Sequence, residues 1–217
     1  MQRPRPRTVL VVLIGIFVTL AALDVLAVSF GKNTAASLLS LDSEVTIGTW
    51  WAGVQLVGLA GLLLVLSIKE SSVGHPLSVR ALRLGVLVAL YLSIDEVAGI
   101  HELLSVRLGR EPIPLLGRDL DRWLVLYTVV AVIVIVLASA GLVRLWRADR
   151  VNMSWLGFGA VLVLFGGVLV EQVRGVVEPG VWDVVFEESF EFVGVAVMIW
   201  ASYRMLAGMT ISSPAPI

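Results

Sequence analysis

The chain has no cysteine and only two histidines, His75 and His101, among its 217 residues. The absence of cysteine excludes disulfides, thiolate metal sites and a cysteine nucleophile. Imidazole chemistry, as a metal ligand or as a proton acceptor, is restricted to the two histidines. Any metal site in this protein must therefore be built largely from oxygen ligands.

Charged side chains are also scarce. Only 15% of the residues are charged and 58% are hydrophobic, whereas soluble domains are about 25% charged. This balance predicts that lipid is the main solvent of the fold. The formal net charge is −1, so no global field attracts polyanions and we expect no nucleic-acid partner.

Six apolar stretches are long enough to cross a bilayer core, which needs about 20 residues per helix. They predict an all-α, polytopic integral membrane bundle that forms a single domain over residues 1–217. We expect the protein to lie in the cell membrane, with the lipid bilayer as its main partner. The predicted helices are 8–30, 45–68, 80–105, 121–146, 151–173 and 182–207. Asp24 interrupts the region where a signal peptide would be cleaved, so we expect the first helix to be retained.

Basic residues predict the orientation of the bundle. With the N-terminus inside, ten Lys and Arg residues flank the helices on the inner side and six on the outer side, as the positive-inside rule requires. The acids of the flanking segments show the opposite bias. We therefore expect both termini on the inner side.

Most of the remaining polar groups of the spans fall between the midplane and the outer interface, counting about 1.5 Å per residue from each inner flank. These groups are Asp24, Gln55, Asp95, Glu96, His101, Glu102, Glu171, Glu187, Glu188 and Glu191. Isolated charges at this depth are costly, so they should face the bundle interior and be compensated by protons, arginines or a bound cation. On an ideal helix, Tyr91, Asp95 and Glu102 share one face.

Two segments concentrate the acids: SIDEVAGIHE at 93–102 and EESFE at 187–191. Carboxylates with a single imidazole suit a divalent cation such as Fe, Mn, Ca or Mg better than Zn. The predicted ligands are Asp95, His101, Glu102, Glu187 and Glu191. The groups expected to support them or to accept protons are Asp24, Glu96, Glu171, Glu188, Gln55, Tyr91 and Arg174. An enzyme built on this outward-facing site would act on a lipidic or membrane-dissolved substrate, but the Glu-x-x-His pattern of two-iron bundles is incomplete.

Two alternatives remain open. Chains of intramembrane acids also serve proton- or cation-coupled transporters, although an inverted repeat would place the two acidic segments in opposite leaflets. The acids could equally be satisfied by ion pairs with Arg107, Arg122 and Arg174 in a structural membrane protein without catalytic activity. The longest outer loop, 105–121, is a candidate cover for the site. The fourth helix has no ionisable group between Trp123 and Val143, which is typical of a scaffold or lipid-facing helix.

Overall fold

The computed structural model describes residues 5–29, 46–108, 113–115, 118–120, 122–170 and 181–211 of the chain. Three residues of the predicted site lie outside this description: Glu171 and Arg174 entirely, and Glu187 in its side chain. Residues 109–112, 116–117 and 121 of the loop 105–121 lie outside it as well.

The described residues form a bundle of α-helices, as the sequence predicts. In chain order the helices are α1 (Pro6–Ser29), α2 (Ile47–Ser72), α3 (Pro76–Ala98), α4 (Ile100–Leu108), α5 (Arg122–Ala148), α6 (Arg150–Leu164) and α7 (Val181–Ile211), and a π-helical segment, Phe165–Val170, continues α6. Six of these elements are long and apolar enough to cross a membrane. The protein is therefore a multi-pass membrane protein.

Local signals explain where several helices begin. Thr46 caps α2 with a reciprocal pair of contacts to Thr49, which satisfies N–H groups that the first turn leaves without helical partners. Pro76 occupies the start of α3, where its missing N–H costs nothing. The Asp149 carboxylate accepts from the Asn152 N–H at 3.1 Å and so caps α6.

The two ends of the bundle differ in charge. The start of α3 packs against the last part of α5, since a Cβ on Gly141 would lie 2.2 Å from the carbonyl oxygen of Leu77. The α2–α3 and α5–α6 connections therefore lie together at one end, which we call the arginine-rich end. Its described basic residues are Arg5, Arg7, Lys69, Arg80, Arg83, Arg144, Arg147, Arg150 and Arg204. The opposite end, which carries α4, is called the loop end.

Helix α7 is the centre of the packing. It contacts α1, α2 and α6, whereas α3 pairs mainly with α2 and α5. The approach of α6 and α7 is close, because a Cβ on Gly159 would lie 2.5 Å from the Gly194 carbonyl oxygen. Buried leucines of α2, including Leu59 and Leu66, join residues of α7 in the main apolar core. Small residues thus permit the close helix contacts on which a membrane bundle depends.

The third predicted helix, 80–105, differs from the structure. Helix α3 ends at Ala98, Gly99 takes a left-handed conformation with φ of 57°, and α4 begins at Ile100. A left-handed residue after the last helical turn is the usual way in which glycine ends a helix. The chain therefore changes direction within the segment that the sequence analysis treated as one continuous helix.

The segment after α4 contains a short hairpin rather than only an irregular loop. Ile113–Leu115 pairs antiparallel with Arg118–Leu120, with Pro114 opposite Asp119. Two strands of this length do not alter the all-α character of the bundle. That this loop covers a site remains a prediction.

Candidate functional site

The break at Gly99 gives Asp95 two structural contacts at the loop end. The Gly99 N–H donates to the Asp95 carbonyl oxygen at 2.8 Å, and the Leu103 N–H donates to the Gly99 carbonyl oxygen at 3.0 Å. Gly99 therefore precedes the first turn of α4 but has no side chain with which to cap it. The Asp95 carboxylate takes this role, since its Oδ1 accepts from the His101 N–H at 2.9 Å.

The same carboxylate faces the imidazole of His101. The distance between Asp95 Oδ2 and His101 Nδ1 is 3.4 Å, and the two side chains are 9% and 33% exposed, respectively. Asp95 is thus a buried carboxyl group that contacts a backbone N–H at the start of α4 and an imidazole.

Three aromatic side chains surround the Asp95–His101 pair. The His101 ring lies 5.5 Å from the Trp123 ring, and Trp123 packs edge-on against Tyr127, also at 5.5 Å. The Tyr127 hydroxyl contacts the Tyr91 hydroxyl at 2.6 Å and lies within interaction range of the Asp95 carboxylate. We call Tyr91, Asp95, His101, Trp123 and Tyr127 the Asp95 cluster.

The Asp95 cluster is held by α2 from the other side of α3. Gly53 of α2 lets α3 approach, because a Cβ there would lie 2.9 Å from Val97. The Ser93 hydroxyl donates to the Gly53 carbonyl oxygen at 3.0 Å, which fixes the rotation of α3 just before Asp95. Gln55, two residues further along α2, is buried, and its amide atoms have no hydrogen-bond partner among the described residues.

A second group of acids lies on α1 and α7. Asp24 is 3% exposed, and about two turns earlier on α1 Phe17 stacks on Phe192 of α7 with ring centroids 5.1 Å apart. Glu188 and Glu191 are half-buried. A carboxylate oxygen of Glu191 lies 2.6 Å from the position that a Cβ would occupy on Gly167, so this acid packs against the π-helical segment after α6.

The two groups of acids lie on different helices. Asp95 contacts residues of α3, α4 and α5, whereas Glu188 and Glu191 lie on α7, and α3 and α7 share no substantial interface in the described part of the chain. Among the described side chains, no three His, Asp or Glu residues are grouped as metal ligands. A shared cation site on α3 and α7 remains a prediction, since the Glu171 and Glu187 carboxylates lie outside the described residues.

The remaining predicted residues of α3 and α4 are distributed around the break. Glu96 is half-buried, whereas Glu102 is exposed on α4. Tyr91 and Asp95 lie on one face of α3, and both contact the Tyr127 hydroxyl. The expected alignment of Glu102 with that face assumed an unbroken helix, and the left-handed Gly99 removes the basis for it.

Trp123 and Tyr127 were not among the predicted site residues. They belong to α5, which the sequence analysis treated as a scaffold because it lacks ionisable groups. Much of α5 fits that interpretation, since Val129, Ile133 and Val136 are more than half exposed. Two aromatic residues spaced four apart at the first turn were the available signal, because that spacing places both on one face.

Comparison with known proteins identifies a family but no activity. No curated protein and no solved structure matches the chain. A family model described as "Domain of unknown function (DUF8692)" matches residues 9–206, from the first turn of α1 to the last part of α7. The chain therefore belongs to the DUF8692 family.

Proposed function

We propose that this membrane protein exchanges protons at the Asp95–His101 pair and uses the pair for acid–base chemistry on a membrane-dissolved molecule. The proposal rests on two contacts between the buried Asp95 carboxylate and His101. One oxygen lies 2.9 Å from the His101 backbone nitrogen, and the other lies 3.4 Å from Nδ1 of the ring. A capping role alone needs only the first of these contacts.

The two residues have different roles in this proposal. A carboxylate beside Nδ1 favours the imidazole tautomer with hydrogen on Nδ1, so that Nε2 carries the lone pair that accepts a proton. Asp95 is buried and already accepts a backbone hydrogen bond, so it orients the ring and stabilises the imidazolium. His101 is the proton-exchanging group, because a third of its side chain is exposed.

The surroundings of the pair favour a substrate that reaches it through lipid. Ile94, next to Asp95 on the membrane-spanning helix α3, is 59% exposed. An apolar side chain so exposed on a spanning helix faces acyl chains rather than water. A molecule that partitions into this layer of the cell membrane can reach His101 without crossing the bundle.

The small number of histidines makes a direct test feasible. Host cells expressing the parent chain, His75→Gln or His101→Gln at matched levels would be compared by untargeted mass spectrometry of their membrane lipids. We expect the parent and His75→Gln to change the amount of the same lipidic species and His101→Gln to leave it unchanged. The same change produced by His101→Gln would refute the proposal.

Proton flux offers the contrasting result. The purified chain would be reconstituted into proteoliposomes and subjected to a pH gradient, with Asp149→Asn as the control because Asp149 caps α6 at the arginine-rich end. Flux that is lost in Asp95→Asn and kept in Asp149→Asn would favour a proton- or cation-coupled transporter over acid–base chemistry on a substrate.

A divalent cation site is the second candidate, and the packing of Glu191 against Gly167 favours it. This contact directs a carboxylate towards the π-helical segment that precedes Glu171, and such segments occur frequently at functional sites. Glu187 and Glu191 would supply oxygen ligands, suited to Fe, Mn, Ca or Mg. The sequence predicts Asp95, His101 and Glu102 as further ligands, which would require α3 and α4 to approach α7 more closely than the described helix contacts show.

Metal analysis tests the second candidate. Protein purified without added chelator should contain a stoichiometric divalent metal, and Glu191→Gln and His101→Ala should each lower the content. A metal-free parent would remove this candidate and leave the acid–base proposal in place.

A further inference from the structure

A groove outside the Asp95 cluster lies at the arginine-rich end. It has a volume of ≈ 520 Å³ and is formed by the α2–α3 turn together with the first three turns of α3. Its polar lining includes Ser71, His75, Arg80 and Arg83, and its deeper lining includes Leu84 and Leu87. Along α3 the lining therefore changes from cationic at the end of the span to apolar inside it.

The charges that line this groove are of one sign. Glu70, in the last turn of α2, contacts the His75 imidazole at 3.0 Å. In the part of the chain that the structure describes, Arg80 and Arg83 have no carboxylate partner, and both are exposed. Two guanidinium groups without counter-ions provide the fork-like donors that bind phosphate oxygens.

The four groove residues of α3 place charged groups beside apolar groups in the order found along a phospholipid, from headgroup to acyl chain. Residues 80, 83, 84 and 87 follow the i, i+3, i+4, i+7 pattern of a single helix face. The arginines at the end of the span lie at headgroup level, and Leu87, 64% exposed, lies one to two turns deeper. A bound phosphate would therefore have an acyl chain along Leu84 and Leu87.

We propose that this groove binds one anionic phospholipid, with its phosphate held by Arg80 and Arg83 and one acyl chain packed along Leu84 and Leu87. Basic pockets between transmembrane helices are suited to such headgroups. The site is at the opposite end of the bundle from Asp95, so it does not depend on the proposed acid–base chemistry.

Native mass spectrometry of the detergent-purified chain tests the proposal by titration with phosphatidylglycerol. We expect one bound lipid per chain, weaker binding of phosphatidylcholine, and an affinity for phosphatidylglycerol that falls roughly 10- to 30-fold in Arg80→Gln/Arg83→Gln. Arg144→Gln/Arg147→Gln is the matched control, because it removes two exposed arginines at the same end of the bundle but outside the groove. It should bind like the parent.

Three results would overturn the proposal. An equal loss of affinity in the control pair would show a general charge effect, and equal binding of phosphatidylcholine would show that the headgroup charge is not recognised. Displacement of the lipid by millimolar inorganic phosphate would show an anion site without a lipid requirement. If the glutamine pair fails to fold, Arg80→Lys/Arg83→Lys keeps both charges and should bind more weakly than the parent, because lysine lacks the guanidinium fork; unchanged affinity would contradict the proposed contact.

Discussion

The Asp95 carboxylate accepts a hydrogen bond from the His101 N–H across the left-handed residue Gly99, with a distance of 2.9 Å. A residue of one helix thereby caps the next helix, because the glycine between them cannot. This contact joins a residue of the predicted site to the backbone of the next helix.

The first prediction concerns the cap itself. Asp95→Ala removes both the acceptor of the His101 N–H and the imidazole partner, so the free energy of unfolding should fall by about 1–2 kcal/mol. Asp95→Asn keeps a carbonyl oxygen that can accept the hydrogen bond and should lose less. Thermal unfolding in detergent measures both variants. Equal losses would show that the charge, and not the cap, holds this region.

The second prediction concerns the conformation of Gly99. Gly99→Ala places a Cβ on a residue with φ of 57°, which costs about 1–2 kcal/mol in the left-handed region. Gly157→Ala is the matched control, because Gly157 lies within α6 and nothing lies within 4 Å of its Cβ position. The control should be neutral or slightly stabilising, since alanine favours a helix. The change in midpoint temperature of each variant provides the comparison, and a stable Gly99→Ala would argue against the break.

The third prediction concerns the contact between Tyr91 and Tyr127. Each Tyr→Phe change removes the contact between the two hydroxyls and leaves the other hydroxyl in place, whereas the double change removes both. A double-mutant cycle on unfolding should therefore give a coupling energy of about 0.5–1.5 kcal/mol between the two positions. Tyr203→Phe, on α7, should show no coupling to either. Additive effects at positions 91 and 127 would mean that the hydroxyl contact contributes nothing to stability.

The fourth prediction concerns the contact between α6 and α7. A Cβ on Gly159 would lie 2.5 Å from the Gly194 carbonyl oxygen, whereas nothing lies within 4 Å of the Cβ position of Gly61. Gly159→Ala must separate two backbones and should destabilise the bundle by about 1–3 kcal/mol. Gly61→Ala should be tolerated. Size-exclusion profiles and unfolding midpoints would report both, and a harmless Gly159→Ala would contradict the close approach.

Helix boundaries illustrate what could be predicted. The second predicted helix, 45–68, corresponds to Ile47–Ser72, and the sixth, 182–207, to Val181–Ile211. Such agreement is expected, because the length of an apolar stretch and the cost of charge in lipid are local properties of the chain. Asp95 and His101 were identified for the same reason, as ionisable groups inside such a stretch.

Contacts between distant segments could not be predicted in this way. Trp123 and Tyr127 join Asp95 only because α5 packs on α3, and no property of α5 alone indicates its neighbour. The predicted alignment of side chains over 93–102 was wrong because of one residue. Successive side chains of a helix are rotated by 100° only while every residue keeps helical φ and ψ angles. Gly99 departs from these angles.

The sequence by itself determined that this chain spans a membrane six times, that its arginines gather at one end, and that its candidate site contains carboxylates and one histidine. Only the tertiary structure decided that Asp95 contacts His101, that aromatic side chains of α5 lie beside them, and that Glu191 of α7 packs against the π-helical segment after α6. The physical reason is that hydrophobicity and charge act on each segment separately, whereas the faces that meet are selected by the packing of all helices together.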